Sequence, residues 1–455
     1  MTRQPTTRLH VSGYRFLLRR MEHALLRGDL RMLHDPMRSQ SLAFTAGCVL
    51  AVVVVAAVAI LAFLRPSPGL GDAAIVMTRD SGALYVRVGD TWHPVMNLSS
   101  ARLVAGSALT PRTVSGADVD SANRGPLLGI PGAPAVIGRP LSEHESSWTV
   151  CDDTTMTVIA GAVDLDRRDR QPSVLVTARS ESAAATYLLY NGWRAEVDLR
   201  NPGVVWALRL DGVEPLPVSL ALLEAIPEAP PIASPKIAGA GGPGVIAGFR
   251  VGDVIRVTRV DGNDYFVVLA NGIQRIGEVA ANLIRIGDDR NGITAVTPDV
   301  IADAPPVSPL AVSSFPSHAG QTTGAEPGVL CGQWLPDGPT TVLWQGDSLP
   351  VDGHPVELAQ HDGEGPNVDG IVMPSGRSAY VRTTAITGAQ GGGPLYVITE
   401  NGVLYGLRDE ATARVLGIEG DPVAAPWPVL SRLPRGPELS RDSALFARDS
   451  IPLPP

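Results

Sequence analysis

The feature that most constrains this chain is an uncharged stretch of 23 residues, LAFTAGCVLAVVVVAAVAILAFL, from Leu42 to Leu64. A helix of that length, at about 1.5 Å per residue, crosses a hydrocarbon core of about 30 Å. A cleaved signal peptide is the alternative. The charged segment before the stretch and the stretch itself are both longer than such peptides use, and no small-residue cleavage site follows. The sequence therefore predicts one membrane span, Leu42 to Leu64.

The charge on either side of this span predicts its orientation. Residues 1–41 carry eight arginines and three acidic residues, a formal charge of +5, whereas the chain from Arg65 onward carries 29 basic and 43 acidic residues, a formal charge of −14. Positively charged flanks stay in the cytoplasm. We therefore expect a single-pass protein of the inner membrane, with a cytoplasmic N-terminus and a periplasmic C-terminal domain.

The cysteines fit that topology. Cys48 lies within the span, whereas Cys151 and Cys331 both lie in the part predicted to be exported. Two cysteines in an oxidising compartment usually pair. The sequence therefore predicts a disulfide between Cys151 and Cys331, packed in a core beside Trp148 and Trp334. Two unrelated free thiols are the alternative.

Four similar segments follow the span, each with a short strand, a Gly-containing turn, a second strand and a stretch suited to a helix. Gly at such turns tolerates positive φ, and the 48 Gly and 40 Pro of the chain disfavour an all-α fold. The fold class predicted from these features is a single-pass membrane protein with an α+β, β-rich ectodomain. The four hairpin-plus-helix repeats are residues 83–106, 186–210, 264–287 and 394–418.

These repeats leave two stretches, one with each exported cysteine, which we expect to form one composite central β domain. The predicted organisation is a cytoplasmic segment with an amphipathic helix (1–41), the span (42–64), the first repeat region (65–112), the first part of the central domain (113–182), the second and third repeats (183–300), a Pro-rich loop with the second part of the central domain (301–383), the fourth repeat (384–433) and a Pro-rich, extended tail (434–455).

The N-terminal segment has its own amphipathic pattern. Ser12 could cap a helix in which Leu18, Met21 and Leu25 share one face, and Asp35-Pro36 would end the helical region. A basic amphipathic helix can bind an anionic lipid surface, dock on a partner protein or simply be solvated. The residues alone do not choose among these.

The N-terminal run TTRLHVSGYRFLLRRMEHALLRGDLRMLHDPMRSQ, followed directly by the span, resembles the start of EccB, a membrane component of the actinobacterial (mycobacterial) type VII or ESX secretion system. The resemblance continues through the cysteine pair, the segments RVGDVIRV and YFVVLANGIQRIGEVA, and the four repeats. It implies an elongated ectodomain with repeat modules around a central β domain. It also implies a complex with other copies of the chain and with subunits of the EccC, EccD and EccE type.

The resemblance gives the N-terminal helix a role as well. Residues 11–35 would dock on partner subunits, and we assign that contact to Tyr14, Leu18, Met21 and Leu25. Membrane lipid is the other expected partner, and no nucleic acid is expected. Which of the paralogous secretion systems the chain serves does not follow from the match.

Members of this family are sometimes labelled ATPases, but the sequence lacks a P-loop. A P-loop needs a lysine followed by Ser or Thr, and the one lysine, Lys236, is followed by Ile237. A formal G-x-G-x-x-G occurs at Gly239, Gly241 and Gly244. A Pro-rich stretch rather than a strand precedes it, so we predict a loop there.

Other chemistry has little support in the sequence. His354 and His361 are the closest histidine pair of the exported part, and their spacing does not place both imidazoles on one helical face. We therefore expect no catalytic residue, no metal site and no cofactor, and we predict a core structural subunit of the secretion complex. The alternatives are a nucleotide hydrolase and a module that binds cell-wall polymer.

Overall fold

The structure is a computed structural model. It describes residues 7–28, 36–64, 69–165, 173–179, 185–260, 262–287, 292–324, 328–336, 341–388 and 392–449. Two compact units divide the chain, which we call the N-terminal unit (Met1–Gly69) and the C-terminal unit (Leu70–Pro455).

The helices are α1 (Arg8–Arg27), α2 (Pro36–Leu64), α3 (Leu98–Ala105), α4 (Gly116–Asp120), α5 (Pro202–Leu208), α6 (Leu220–Glu224), α7 (Glu278–Gly287), α8 (Glu410–Leu416), α9 (Trp427–Leu430) and α10 (Arg441–Ala444). Short 3-10 helices cover Glu143–Glu145 and Pro298–Ile301.

The strands up to the second module are β1 (Ile75–Thr78), β2 (Leu84–Val88), β3 (Thr91–Val95), β4 (Arg112–Val114), β5 (Leu127–Leu128), β6 (Arg139–Pro140), β7 (Trp148–Asp152), β8 (Met156–Ala160), β9 (Ser173–Ala178), β10 (Thr186–Tyr190), β11 (Trp193–Glu196), β12 (Leu216–Val218) and β13 (Glu228–Ala229). The remaining strands are β14 (Val254–Arg259), β15 (Gly262–Val268), β16 (Ile273–Ile276), β17 (Thr294–Val296), β18 (Thr322–Thr323), β19 (Val329–Trp334), β20 (Val342–Gly346), β21 (Val356–Glu357), β22 (Gly370–Val372), β23 (Arg377–Thr384), β24 (Leu395–Thr399), β25 (Leu404–Leu407), β26 (Val423–Pro426) and β27 (Ala447–Arg448).

The N-terminal unit contains α1 and α2, and the bounds of α1 differ from the prediction. The helix begins after Thr7, so Ser12 lies inside it and does not cap it. It ends at Gly28, which adopts the left-handed conformation that favours glycine after a helix, with φ of 66°. Pro36 opens α2 instead of closing a helical region, because proline fits the first turn of a helix.

Helix α2 contains the predicted span. Its stretch Gln40–Leu61 has a mean hydropathy of 2.8, and none of it is buried against the described part of the chain. A helix that is apolar on all sides is stable where its surroundings are apolar too. By length and composition, α2 can cross a membrane.

Four modules of the C-terminal unit share one topology. In each, three strands form an antiparallel meander, a helix follows, and a fourth strand returns parallel to the first, so the sheet order is third, second, first, fourth. These modules are β1-β2-β3-α3-β4, β9-β10-β11-α5-β12, β14-β15-β16-α7-β17 and β23-β24-β25-α8-β26. The predicted β-rich α+β fold with hairpin-plus-helix repeats is confirmed.

The modules are larger than the predicted repeats. The sequence pattern identified the second and third strands and the helix, whereas the first and fourth strands of each sheet lie outside those bounds. Residues 113–114 and 173–178, assigned above to the central domain, pair with β1 and β10 instead. The same holds for residues 377–383, which belong to the first strand of the fourth module. The fourth strand of each module pairs with the first across two strands and a helix, so hairpin periodicity does not predict that pairing.

Local chemistry explains why each module turns where it does. In the second module, Asn191 and Gly192 both have positive φ, 49° and 77°, as a two-residue hairpin turn that matches strand twist requires. Helices α3, α5 and α8 then begin at side-chain caps: Asn97, Asn201 and Asp409 each accept a hydrogen bond from a backbone N–H two or three residues later.

A fifth segment closes each module. After the fourth strand, a short helix leads back to a segment that lies parallel beside the third strand. In the first and second modules this segment is β5 and β13. In the third and fourth it forms the bridges Ile273 to Pro306 and Leu404 to Arg435.

A separate central sheet has the order β20-β19-β7-β8-β22-β21. Its strands come from the two stretches that contain the cysteines, so residues near 148–160 and 329–372 do meet. One apolar core joins this sheet to the second and fourth modules, a second core joins the first module to the fourth, and a third joins the second module to α7 of the third.

Two segments predicted to be a Pro-rich loop and a Pro-rich, extended tail are packed. Residues 305–318 run along the edge strand β16, where the Gln274 side chain exchanges two hydrogen bonds with the Leu310 backbone, and Tyr190 donates one to the carbonyl of Ser314. The tail returns as α10 and β27, and β27 pairs with β5 of the first module. Residues 450–455 lie outside the described part.

Candidate assembly surfaces

The four residues predicted to dock on a partner lie on one side of α1. Tyr14, Leu18, Met21 and Leu25 follow one another at spacings of four, three and four residues, which places them along one helical stripe. Their exposed fractions are 65%, 38%, 58% and 81%. The stripe therefore has no apolar cover within the described chain, and it has the geometry of a helix that lies in a groove of another protein.

The disulfide joins the two halves of the central sheet. Cys151 on β7 and Cys331 on β19 are directly opposite each other, 180 residues apart in sequence, and they are linked by an S–S bond. Both are buried, in a small apolar cluster on one face of the sheet with Ile159 and Val329. The bond therefore connects chain segments that the second and third modules separate in sequence.

The tryptophans beside the cysteines do not pack on this bond, contrary to the prediction. Side chains alternate across a strand, so Trp148 and Trp334, each three residues from a cysteine, lie on the opposite face and belong to the large core. The aromatic residue of the disulfide face is Trp344, which pairs with Cys331 from the neighbouring strand β20.

A buried carboxylate links the central sheet to the second module. Asp152, next to Cys151, is 3% exposed and is bonded to the Arg179 guanidinium and to the backbone N–H of Ser219. Burial raises the pKa of the Asp152 carboxyl, against the opposing effects of the Ser219 hydrogen bonds and the Arg179 charge. Loss of either partner would leave a buried charge uncompensated, which is strongly destabilising.

Asp152 and Arg179 are not predicted from the sequence above, although a repeated signal marks the strand before Arg179. A short Val- and Thr-containing segment, with an arginine within or just after it, precedes each hairpin, as in VMTR, VTAR, VTR and YVRTT. These segments are the ends of β1, β9, β14 and β23. The pattern marks the first strand of each module, and Arg179 is the member that reaches the central sheet.

Direct bonds also join the modules to one another. Between the second and fourth modules, Arg432 donates to Glu224 at 2.5 Å. Between the first and fourth, the Arg102 guanidinium donates to the carbonyl of Leu416 at 2.7 Å, at the C-terminal end of α8, where a cation is favourable. These contacts and the shared cores make the modules parts of one compact unit.

The candidate catalytic groups are not gathered into a site. His361 is 3.3 Å from Asp369, whose carboxylate accepts three backbone N–H groups, and His354 is exposed. In the described ranges, no group of three or more His, Cys, Asp and Glu side chains is placed to hold a metal ion. Lys236 is exposed, and Gly239, Gly241 and Gly244 lie in irregular backbone without a preceding strand.

Two clefts of the C-terminal unit have linings that mix apolar and polar side chains. One of 730 Å³ lies between β16 and the segment 305–318, and includes Phe266, Phe315 and the pair of His318 with Glu278, which are 3.1 Å apart. Another, of 850 Å³, lies beside β26.

Comparison with known proteins gives this architecture a family. Residues 3–453 match the family model described as "Type VII secretion system ESX-1, transport TM domain B". The chain is 34% identical to "ESX-2 secretion system ATPase EccB2" of Mycobacterium tuberculosis, over 97% of this chain and 94% of the relative. It is also 34% identical to "ESX-3 secretion system ATPase EccB3" of Mycolicibacterium smegmatis, over 98% and 91%.

Solved structures agree with the sequence relatives. A chain of an intact ESX-5 inner membrane complex matches all of this chain and 98% of its own length, with a TM-score of 0.71 and 30% identity. A chain of the periplasmic assembly of that complex matches 86% of this chain with a TM-score of 0.68, and a chain of the EccB3 dimer from the ESX-3 core complex matches 82% with a TM-score of 0.72, both at 30% identity. With its sequence matched from end to end and its fold shared, the chain belongs to the EccB family of type VII secretion membrane components.

Proposed function

We propose that this chain is a structural subunit of a type VII secretion inner-membrane complex, required for the export of secreted proteins. The observation that carries the proposal is the match of nearly the whole chain, candidate span included, to a subunit of an intact ESX-5 inner membrane complex. The word ATPase in the relatives' names does not assign ATP hydrolysis to this chain, because the sequence has no P-loop lysine.

In this proposal, α2 spans the inner membrane with residues 1–35 in the cytoplasm and the C-terminal unit in the periplasm. The charge difference between the two flanks supports this orientation. The disulfide between Cys151 and Cys331 supports it as well, because such bonds persist in oxidising compartments. The similarity to a chain of the ESX-5 periplasmic assembly points the same way.

Two parts of the chain would make the assembly contacts. The C-terminal unit would hold neighbouring copies together, as the similarity to the EccB3 dimer suggests. On the cytoplasmic side, the stripe of Tyr14, Leu18, Met21 and Leu25 would dock on a partner subunit of the EccC, EccD or EccE type. The exposure of these side chains supports this, since a stripe of that area is costly to leave in water.

The experiment is affinity purification of the tagged full-length chain from mild-detergent membranes, with mass spectrometry and native sizing. We expect a large assembly that contains an ATPase and a many-spanning partner. Leu18→Asp and Leu25→Asp should each weaken the contact with the cytoplasmic partner, whereas Ser12→Asp, which adds the same single charge on the other side of α1, should leave it. Recovery of the chain alone, from membranes that contain those subunits, would refute the proposal.

The orientation has a separate test. In a Cys48→Ser background, Val136→Cys introduces an accessible thiol in the C-terminal unit, where Val136 is 74% exposed, and Ser12→Cys introduces one on α1. We expect a membrane-impermeant maleimide to label position 136 in intact spheroplasts and position 12 only after lysis. The reverse labelling would overturn the topology without affecting membership of the complex.

A further inference from the structure

Helix α1 has a second exposed apolar strip that the docking stripe does not use. Leu9 and Phe16 are seven residues apart, so at about 100° per residue they lie within about 20° of each other around the helix. Leu18 and Leu25 lie on the opposite side. Leu9 is 83% exposed and Phe16 is 56% exposed, so both are without apolar cover in the described chain.

Arginines flank this second strip. Arg8, Arg19 and Arg20 lie within about 100° of Phe16 around the helix. All three are exposed, and none has an ion pair with any residue that the structure describes. Three exposed guanidinium groups beside two apolar side chains form a surface that combines positive charge with hydrophobicity.

The strip is limited to the first half of α1. His23, about two turns after Phe16 on the same side, is buried, with 7% exposure. We therefore define the second surface of α1 by five residues, Leu9, Phe16, Arg8, Arg19 and Arg20.

The chain keeps this surface close to the bilayer. Residues 29–35 separate the end of α1 at Gly28 from the start of α2 at Pro36, and the candidate span starts at Gln40. Seven residues reach at most about 25 Å when fully extended. The helix, about 30 Å long itself, is therefore tethered within reach of the membrane surface on its side.

We propose that this second surface of α1 binds the anionic headgroups of the adjacent leaflet, while the docking stripe on the opposite side stays free for a protein partner. Guanidinium groups bind phosphate through paired N–H donors, and Leu and Phe side chains enter the boundary between headgroups and acyl chains. The inference rests on the proposed topology in one respect, which is that the leaflet is the cytoplasmic one.

The test uses the full-length chain in a Cys48→Ser background, in which the other cysteines are bonded to each other. A spin label is placed at Leu9→Cys, with Leu25→Cys on the opposite side as the matched control. The protein is reconstituted in nanodiscs of phosphatidylcholine alone or with phosphatidylglycerol. Collision with oxygen, which partitions into lipid, is compared with collision with a water-soluble nickel complex.

With phosphatidylglycerol present, we expect the label at position 9 to be several-fold less accessible to nickel than the label at position 25. Phosphatidylcholine alone, or about 1 M salt, where the Debye length falls to about 3 Å, should remove the difference. The combined change Arg8→Gln, Arg19→Gln and Arg20→Gln should do the same. It leaves Phe16 and the label at position 9 in place and removes no contact from the C-terminal unit.

Two results would overturn the proposal. One is equal nickel accessibility at position 9 in both lipid mixtures. The other is protection at position 25 in place of position 9, which would place the docking stripe in the bilayer. Neither result bears on whether the chain co-purifies with a secretion complex, so failure of this inference and failure of the proposed function remain distinguishable.

Discussion

The two units of this chain treat their apolar residues in opposite ways. The C-terminal unit buries most of its large apolar side chains in cores shared between modules, and it leaves scattered exceptions such as Val136 and Trp206. In the N-terminal unit, the stripes of α1 and the whole candidate span are exposed. The first pattern supplies stability within the chain, whereas the second requires lipid or another protein. Folding and assembly are thus assigned to different parts of the sequence.

Tryptophan fluorescence reports on the folding of the C-terminal unit alone, because all seven tryptophans lie in that unit. The largest effect on that signal should come from the disulfide. Replacement of Cys151 and Cys331 by Ala removes a cross-link between residues 180 apart, and we expect a loss of about 4 kcal/mol in the free energy of unfolding. The measurement is denaturant unfolding of the full chain in detergent, followed by tryptophan emission.

Cys48→Ser is the matched control for that change. It removes the cysteine of α2, which is exposed and unbonded, and it should leave the transition unchanged. Equal midpoints for all three proteins would contradict a stabilising role for the bond.

A smaller loss should follow from a single cavity in the shared core. Leu222 is fully buried where α6 packs between the central sheet and the fourth module, so Leu222→Ala should cost about 3 kcal/mol. Leu109→Ala, at a position that is 44% exposed, should cost less than about 1 kcal/mol. A single cooperative transition is expected, and separate transitions for individual modules would show that the core does not couple them.

The sequence could predict the local features of this fold but not the pairings between distant segments. The span, the four hairpins and their helices are local features, visible as apolar runs, turn residues and caps such as Asn97. The first and fourth strands of each module are only three to eight residues long, and the fourth pairs with the first across the intervening strands and helix. Their pairing is set by tertiary packing, which hydrophobic periodicity does not describe.

The candidate surfaces also include one feature that the sequence could predict and one that depends on tertiary packing. The docking stripe of α1 could be predicted because helical spacing alone places Leu18 and Leu25 on one side. The link between Asp152 and Arg179 could not, because it depends on how the second module packs against the central sheet. The prediction that Trp148 packs on the disulfide was wrong because it relied on proximity in sequence. Residues three apart on a strand lie on opposite faces.

Acidification should weaken the contact between Glu145 and Arg377. The hydrogen bond from Arg377, with further bonds from Ser142, lowers the pKa of Glu145 from 4.5 to about 2. A lowered pKa stabilises the fold above the unfolded-state value, and this contribution is lost as pH falls from about 4.5 to about 2. The difference in melting temperature between the natural chain and Glu145→Gln should therefore be greatest above pH 5 and shrink towards pH 2.

Glu143→Gln is the control for that titration. The Glu143 side chain lies two residues away and has no ion pair within the described chain, so its replacement should not produce the same pH-dependent difference. Because Glu145 is itself 41% exposed, the effect should be modest. A difference that persists unchanged down to pH 2 would exclude the Arg377 pair as its source.

The smallest effect on stability should come from the N-terminal unit. Leu25→Ser removes an apolar side chain that is 81% exposed, and we expect no change in the unfolding transition beyond about 0.5 kcal/mol. Leu439→Ser, the same substitution at a fully buried position, should lower it clearly. Equal losses in the free energy of unfolding from the two changes would show that Leu25 contributes to the stability of the unit that contains the tryptophans.

The return of the C-terminus to the first module has a consequence for biogenesis. Arg448 bonds to the carbonyl of Gly129, 319 residues earlier, and β27 lies against β5 at the edge of the first sheet. Under the proposed topology, the chain is translocated from the N-terminus onward. The first module is therefore exported long before β27, the strand that pairs with β5, reaches the periplasm. The module that leaves the translocon first is thus the last to be completed, and any product truncated before Ala447 carries an open sheet edge.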